Sequence, residues 1–437
     1  MTLLLIIYAI VITVVGFFDY SRIRNFDDFI LAGRSRGTLL VAASILASVI
    51  GASATMGVVQ LAFTKGPAAV LWLGSGAVGL LIAALFIVQK IRGTGAGTFT
   101  DVAQTLIGAN CARLITFIII IAWTGIIAAQ YIATAKIVAG CCDISYVSAL
   151  LITAGIITSY CAAGGQFAIL KTDLLQFVFI ILGLGMTLFF LFRQEFSFDI
   201  FRIESSDTGF SVETITYYML IVGSCFVIGP DIFGRFFAAG SNAAAKKAGI
   251  ISAVALGAFS VAIVSVGLWA RRFVQVPQGQ QALIWILQNH LPPVVGAALT
   301  LGLLSATISS ASTCIVTVSS IVGRQIKGCN TVVPVRVITA VIGIAAFAIA
   351  YLGGDIIKTL LLSYSIFNCG VIPPLFLAII FAGRRNLSEK LVIPAMILGG
   401  SLGVYSTIIS NKPLTLAAFA VSAALAAIAT IKGKANS

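Results

Sequence analysis

The chain has 437 residues, of which 59% are hydrophobic and only 9% charged, with mean hydropathy +1.10 and a formal charge of +13. A soluble domain carries about 25% charged residues, so a surface of this size cannot face water all round. Soluble enzymes and soluble binding modules are excluded, and lipid is the remaining solvent.

A bilayer core takes about 20 apolar residues per helix. About thirteen such stretches run along the chain, near 2–18, 37–63, 67–89, 112–140, 146–164, 172–192, 214–235, 247–270, 294–323, 332–352, 356–383, 391–410 and 413–431. They are continuous, not the alternating ten-residue segments of a membrane β-barrel. The first, MTLLLIIYAIVITVVGFF, lacks a basic leader and a small-residue cleavage site, and is expected to be a retained span. With the N-terminus outside, nineteen of the 27 Lys and Arg fall in loops on the inner side and eight on the outer. That positive-inside bias supports an odd span count and a cytoplasmic C-terminus in a cell membrane. It makes the basic balance topological, so no nucleic-acid partner is expected.

The second stretch, ASILASVIGASATMGVV, is dense in Ala, Ser and Gly. Cys141 and Cys142 fall in an outer loop, and no CxxC or Cys/His metal spacing occurs. Asp173 opens the sixth stretch in LKTDLLQFVF, where it reads equally as a helix N-cap or as an ion ligand or proton site. Segment 193–213 is the longest polar stretch and carries five carboxylates without metal-ligand order; it reads as a plain connector. The seventh stretch, YYMLIVGSCFVIGPDIFGRFF, holds Gly229 and Pro230, which predict a broken helix ending at Asp231. His290 is the one histidine and reads as a solvated loop residue, so no nucleophile–His–carboxylate set exists. No Walker motif occurs either. The ninth stretch, GLLSATISSASTCIVTVSSIVG, carries more hydroxyls than packing requires, and each needs a partner in the membrane.

Disruptions in the second and seventh stretches lie five spans apart. That spacing suits two inverted five-span repeats, each opening on a discontinuous helix. The expected fold is an all-α polytopic membrane protein of one domain, 1–437. It divides into a first span and inner loop (1–36), a first repeat (37–192), a second repeat (214–385) and two terminal spans (386–437).

Four segments resemble the sodium/solute symporter family: NFDDFILAGRSRG, KTDLLQF, GPDIFGRFFAAGSNAAAKKAG and GLLSATISSASTCIVTVSSIVGRQI. The resemblance runs from about residue 17 to 385. It implies thirteen spans around a leucine-transporter-like five-plus-five core, and no enzyme activity. It also implies a sodium site made by the carbonyls of Ala47, Ile50 and Ala306 with the hydroxyls of Ser309 and Ser310. A register three or four residues earlier would use Ser305 and lose the neighbouring hydroxyl, because Ala306 follows. The first register also aligns Ser319, Ser320 and Ile326. Some members carry a second sodium, which here implies Asp173, Ser309, Ser312 and Thr313.

The sugar carriers of the family place polar and acidic groups just after the second-span break. Here Gly51 to Thr55 are small and uncharged, which weakens a sugar assignment. Cavity candidates are Ser48, Ser53, Thr55, Gln60, Gln130, Ser224, Cys225 and Asn368. The function expected is sodium-coupled symport of a small polar organic solute by alternating access, with Na+ as coupling ion and no organic cofactor. Partners are the solute and the bilayer, with no obligatory protein partner evident. The alternatives are a proton-coupled or facilitative carrier of the same fold, with Asp173 as proton site, or a membrane sensor or channel. KGKANS after the last stretch offers a sensor no output domain.

Overall fold

A computed structural model describes residues 1–18, 20–195, 197–202, 210–326, 331–352, 356–383 and 387–431. Lys327, Arg384, Arg385, Lys432, Lys434 and the middle of segment 193–213 lie outside the described residues. Among the described residues the chain is all-helical, and its one isolated β-bridge joins Arg36 to Ala239. Nine helices are long and apolar enough to cross a membrane, or ten with the bent pair α17 (Ile356–Gly370) and α18 (Ile372–Ile380) counted as one span. The chain is a multi-pass membrane protein.

The apolar runs become helices because a backbone polar group has no water partner in lipid and must be satisfied within its own segment. Their outward faces are apolar: Val333, Val337, Val341 and Ile344 make an exposed stripe on α16 (Val332–Tyr351). In water such a stripe would face a core; here it faces lipid.

Two features of the connections have local causes. Stretches 146–164 and 172–192 are separate helices as expected, joined without a loop into α9 (Tyr146–Gln194), 49 residues long, whose backbone breaks at Gly165. A straight helix of that length would extend about 74 Å at about 1.5 Å per residue, against an apolar core of about 30 Å. It turns at Gly165 (φ 47°, ψ −142°), where a Cβ would lie 2.6 Å from the Phe29 ring and 2.7 Å from its carbonyl oxygen. The connectors also hold short helices that hydropathy does not mark: α2 (Phe26–Leu31), α7 (Phe99–Leu106) and α14 (Ala282–Asn289). The first two start on side-chain caps, Asn25 in one case and the Thr98/Asp101 capping box in the other. His290 follows α14 half-buried, edge-on to Trp269, and is not the freely solvated residue expected.

The centre of the molecule is α15 (Pro293–Gln325), with 83% of its most apolar window buried. It packs along α8 (Ala109–Cys142), α9, α16 and α3 (Thr38–Val49). At one end of the bundle, three loops are laced by arginines. Arg34 donates to the carbonyls of Gly95 and Ala96, Arg92 donates to Asn242, and the backbone of Arg36 pairs with residues 238–240.

Candidate functional site

Two helix interruptions face α15. After α3 the backbone leaves the helix at Ile50 (φ −90°, ψ 80°) and resumes in a π-wound turn, Ser53–Gly57, leading into α4 (Val58–Lys65). Further on, a π-wound turn, Tyr218–Gly223, and α11 (Ser224–Val227) stop at Ile228 and Gly229. The chain restarts as α12 (Pro230–Ala238), with Pro230 where its missing N–H costs nothing.

The first interruption strands the carbonyls of Ala47 and Ser48, whose helical donors would be the N–H groups of Gly51 and Ala52. Side chains take over. Ser309 Oγ lies 2.7 Å from Ala47 O, and Ser310 Oγ donates to Ser48 O at 2.8 Å. The N–H of Ala52 donates to Gln130 Oε1 at 3.1 Å. Gly51 allows this closeness: a Cβ there would sit 2.7 Å from Ser310 Oγ.

Ser309 is also 2.7 Å from Ser305 O and 3.1 Å from Ala306 O. One hydroxyl thus reaches three buried carbonyl oxygens: those of Ser305 and Ala306, which also accept N–H bonds within α15, and that of Ala47, which has lost its helical donor. Such a spot is rich in hard oxygen and poor in donors, the chemistry a small monovalent cation satisfies. Ala47, Ala306 and Ser309 converge on one point, while Ser310 reaches the neighbouring carbonyl of Ser48.

The residues implied for a second cation are arranged differently. Asp173 is fully buried, but its Oδ2 accepts from Arg235 at 3.2 Å and from Ser44. Arg235 is fully buried as well. It also donates to Thr313 and lies 3.2 Å from Ser44 Oγ. Ser312 donates to Ser309 O within its own helix. A guanidinium therefore already sits between Asp173 and Thr313. Arg235 is no loop residue, contrary to its place in the inner-loop charge count. Nor is Asp173 an N-cap, since it lies inside α9. Its other oxygen, Oδ1, has no hydrogen-bond partner.

A cavity of about 90 Å³ lies beside both interruptions. On the same measure a water needs about 10–15 Å³, so there is room for one small solute. Ser48, Ser53, Gln130 and Cys225 line it, as expected, together with Ser310. The other four candidates are spent elsewhere. Thr55 bonds Gly51 O, Gln60 accepts from the N–H of Ala282, Ser224 bonds back to Leu220 O, and Asn368 donates to Ile221 O while accepting from Cys225. Each holds a helix turn or a helix contact. The sequence reading missed the aromatic wall of Trp72, Trp123, Tyr217 and Tyr364, and it marked Asp231, at the restart of α12, as a carboxylate near membrane depth without placing it in the cavity. Apolar aromatics within apolar spans carry no distinguishing signal, but Asp231, an isolated carboxylate in a hydrophobic run, did.

The fold is that of the leucine-transporter-like Na+-coupled transporters. The chain matches a Na+-coupled sialic acid symporter in its substrate-bound outward-open state with TM-score 0.83 at 16% identity, covering 100% of this chain and 98% of that one. It matches a nucleobase-cation-symport-1 family transporter, closed with bromovinylhydantoin bound, at TM-score 0.61 and 16% identity over 92% and 93% of the two chains. MhsT in complex with L-phenylalanine gives 0.58 and 12%, over 91% and 99%.

The chain belongs to the sodium:solute symporter family, whose pattern it matches over residues 29–399. Sodium/proline symporter 2 of Staphylococcus saprophyticus is 24% identical over an alignment 351 residues long that covers 73% of this chain and 66% of that protein. The chain thus spans a little under two thirds of that relative's length.

Proposed function

We propose that this protein is a secondary active transporter that couples sodium entry to uptake of a small polar organic solute by alternating access. One observation carries the reading: three carbonyl oxygens converge on the single hydroxyl of Ser309 where α3 breaks off, next to a solute-sized cavity. Sodium bound to the oxygens of Ala47, Ile50, Ala306, Ser309 and Ser310 ties the broken α3 to α15. Ser48 and Ser310 belong both to that junction and to the cavity wall, so ion and solute share a boundary. Each then favours the state that the other favours, which is the condition for coupling.

The proposed frame is thirteen spans, with a five-plus-five inverted core, the N-terminus outside and the C-terminus in the cytoplasm. The proposed stoichiometry is one sodium. Arg235 already places a positive charge on Asp173, and a second cation there would meet it in low dielectric. The same pairing disfavours Asp173 as the proton site of a proton-coupled carrier. A channel or a sensor has no need for an ion site that abuts a solute-sized cavity.

Uptake into proteoliposomes tests the reading. An inward sodium gradient should drive concentrative uptake that disappears when potassium replaces sodium and persists between pH 6 and 8 at roughly constant sodium dependence. The name of the proline symporter relative makes L-proline the first solute to assay. Uptake indifferent to sodium would sink the coupling. Sodium activation with a Hill coefficient clearly above one would sink the single-ion stoichiometry.

A further inference from the structure

We propose that the cavity selects solutes bearing a positively charged nitrogen, and that Asp231 is the group that selects them. This rests on the cavity being the solute site of a transporter.

The charges around the cavity decide the matter. Among the described residues its wall holds one charged side chain, Asp231, and no Lys, Arg or His. The nearby guanidinium acts on Asp231 from one turn away, and the Asp231 carboxylate accepts from the N–H groups of Asp231 and Ile232 at the start of α12, but the hydrogen bonds of Arg235 go to Asp173, Thr313 and Ser44. Arg235 lies one helical turn along α12 and gives its Nη2 to Asp173 at 3.2 Å, with both side chains fully buried. Its contact with residue 231 is a long one, 3.5 Å to the backbone carbonyl. Lys412 lies over the Tyr217 ring at 5.6 Å, but it is exposed at the start of α20 (Lys412–Ile431) and is not part of the wall. Two carboxylates and one guanidinium thus leave one negative charge, and that charge borders the cavity.

A carboxylate held by backbone N–H groups, with no cation on the cavity wall beside it, gains from a cationic partner. An anionic solute would add repulsion at short range in a low-dielectric site. A neutral polyol would leave the carboxylate without a counter-charge. A cationic nitrogen pairs with it directly.

The remaining wall suits the same group. Trp72, Trp123, Tyr217 and Tyr364 present aromatic surface to a small volume, and a cation over such rings gains further attraction. The class is therefore small amines, amino-acid zwitterions and betaines. Simple carboxylates and uncharged sugars fall outside it.

Binding to the purified full chain in sodium, read by tryptophan fluorescence and by thermal shift, tests the inference. The probes are L-proline, glycine betaine, choline and putrescine, set against tetrahydro-2-furoate, which keeps the shape of proline without its charged nitrogen, and glucose. At least one cationic-nitrogen probe should bind, and tetrahydro-2-furoate and glucose should bind at least about tenfold more weakly. D231N should weaken the bound probe by about tenfold or more, and D231E should recover part of the loss. Melting in sodium shows whether each variant is folded.

Glucose or tetrahydro-2-furoate binding as well as the cationic probes would overturn the inference, as would unchanged binding in folded D231N. So would stabilisation by sodium with no cationic probe bound. In those cases the transport reading stands. If neither sodium nor any solute stabilises the protein, the transport reading itself fails and this inference with it.

Discussion

Two buried polar clusters lie about one turn apart along the seam between α3 and α15 and are built on opposite principles. The Ala47–Ala306–Ser309 cluster contains only neutral oxygens, with one hydroxyl reaching two carbonyls of α15 and the Ala47 carbonyl, which has no helical donor. The Asp173–Arg235 cluster contains full charges and balances them internally, with Ser44 and Thr313 as further partners. The first has spare acceptors and welcomes a small cation. The second needs none, because its cation is covalently part of the chain. Hydroxyl-rich composition alone does not separate the two. What separates them is the position of one guanidinium.

The largest effect expected is on the charged cluster. R235Q removes the counter-charge of a fully buried carboxylate and should cost about 3–5 kcal/mol, seen as a strongly lowered melting temperature or loss of folded protein. The double variant D173L/R235M removes both charges and should recover most of that loss, because an apolar replacement of a buried pair is often neutral. A double variant as unstable as R235Q alone would show that the pair does more than neutralise itself.

An intermediate effect is expected at the neutral cluster. In G51A the added Cβ meets Ser310 Oγ at 2.7 Å, and overpacking of this kind costs about 1–3 kcal/mol. Stabilisation by sodium should weaken with it. S309A removes the one hydroxyl shared by the three carbonyls and should lower sodium affinity by about tenfold or more, measured as a rightward shift in sodium-dependent melting. An unchanged sodium response in S309A would break the comparison.

The smallest effect is expected further along α15. Ser319 and Ser320 bond back to Ile315 and Val316 within their own helix. S319A and S320A should each change stability by about 1 kcal/mol or less and leave the sodium response alone. Sodium sensitivity in either would extend the cation site beyond the α3 junction.

The division within that helix was only half legible in the sequence. The run from Ser305 to Ser320 stood out by its hydroxyls, and all nine side chains prove to be buried. Which of them bond within α15 and which reach across to α3, α8 or α12 depends on the helix rotation, which composition does not carry. The same holds for the cavity candidates. Ser48, Ser53, Gln130 and Cys225 line it, whereas Gln60 turns to Ala282 and Asn368 to Ile221. A polar residue in an apolar span announces that it needs a partner without naming the partner.

The sequence by itself determined the solvent, the all-helical class and the segments to inspect, because apolar bulk and the backbone's need for internal hydrogen bonds are local properties. It also marked the Ala-, Ser- and Gly-dense second stretch and Gly229–Pro230 as places of interest, since small residues and proline act locally on the backbone. Only the tertiary structure decided how charge is apportioned. Asp173, Asp231 and Arg235 are all present in the sequence. Arg235 turns to Asp173 and leaves Asp231 facing the cavity. That choice depends on the packing of α12 against α3 and α15, and long-range electrostatics is fixed by distance in space, not by distance along the chain.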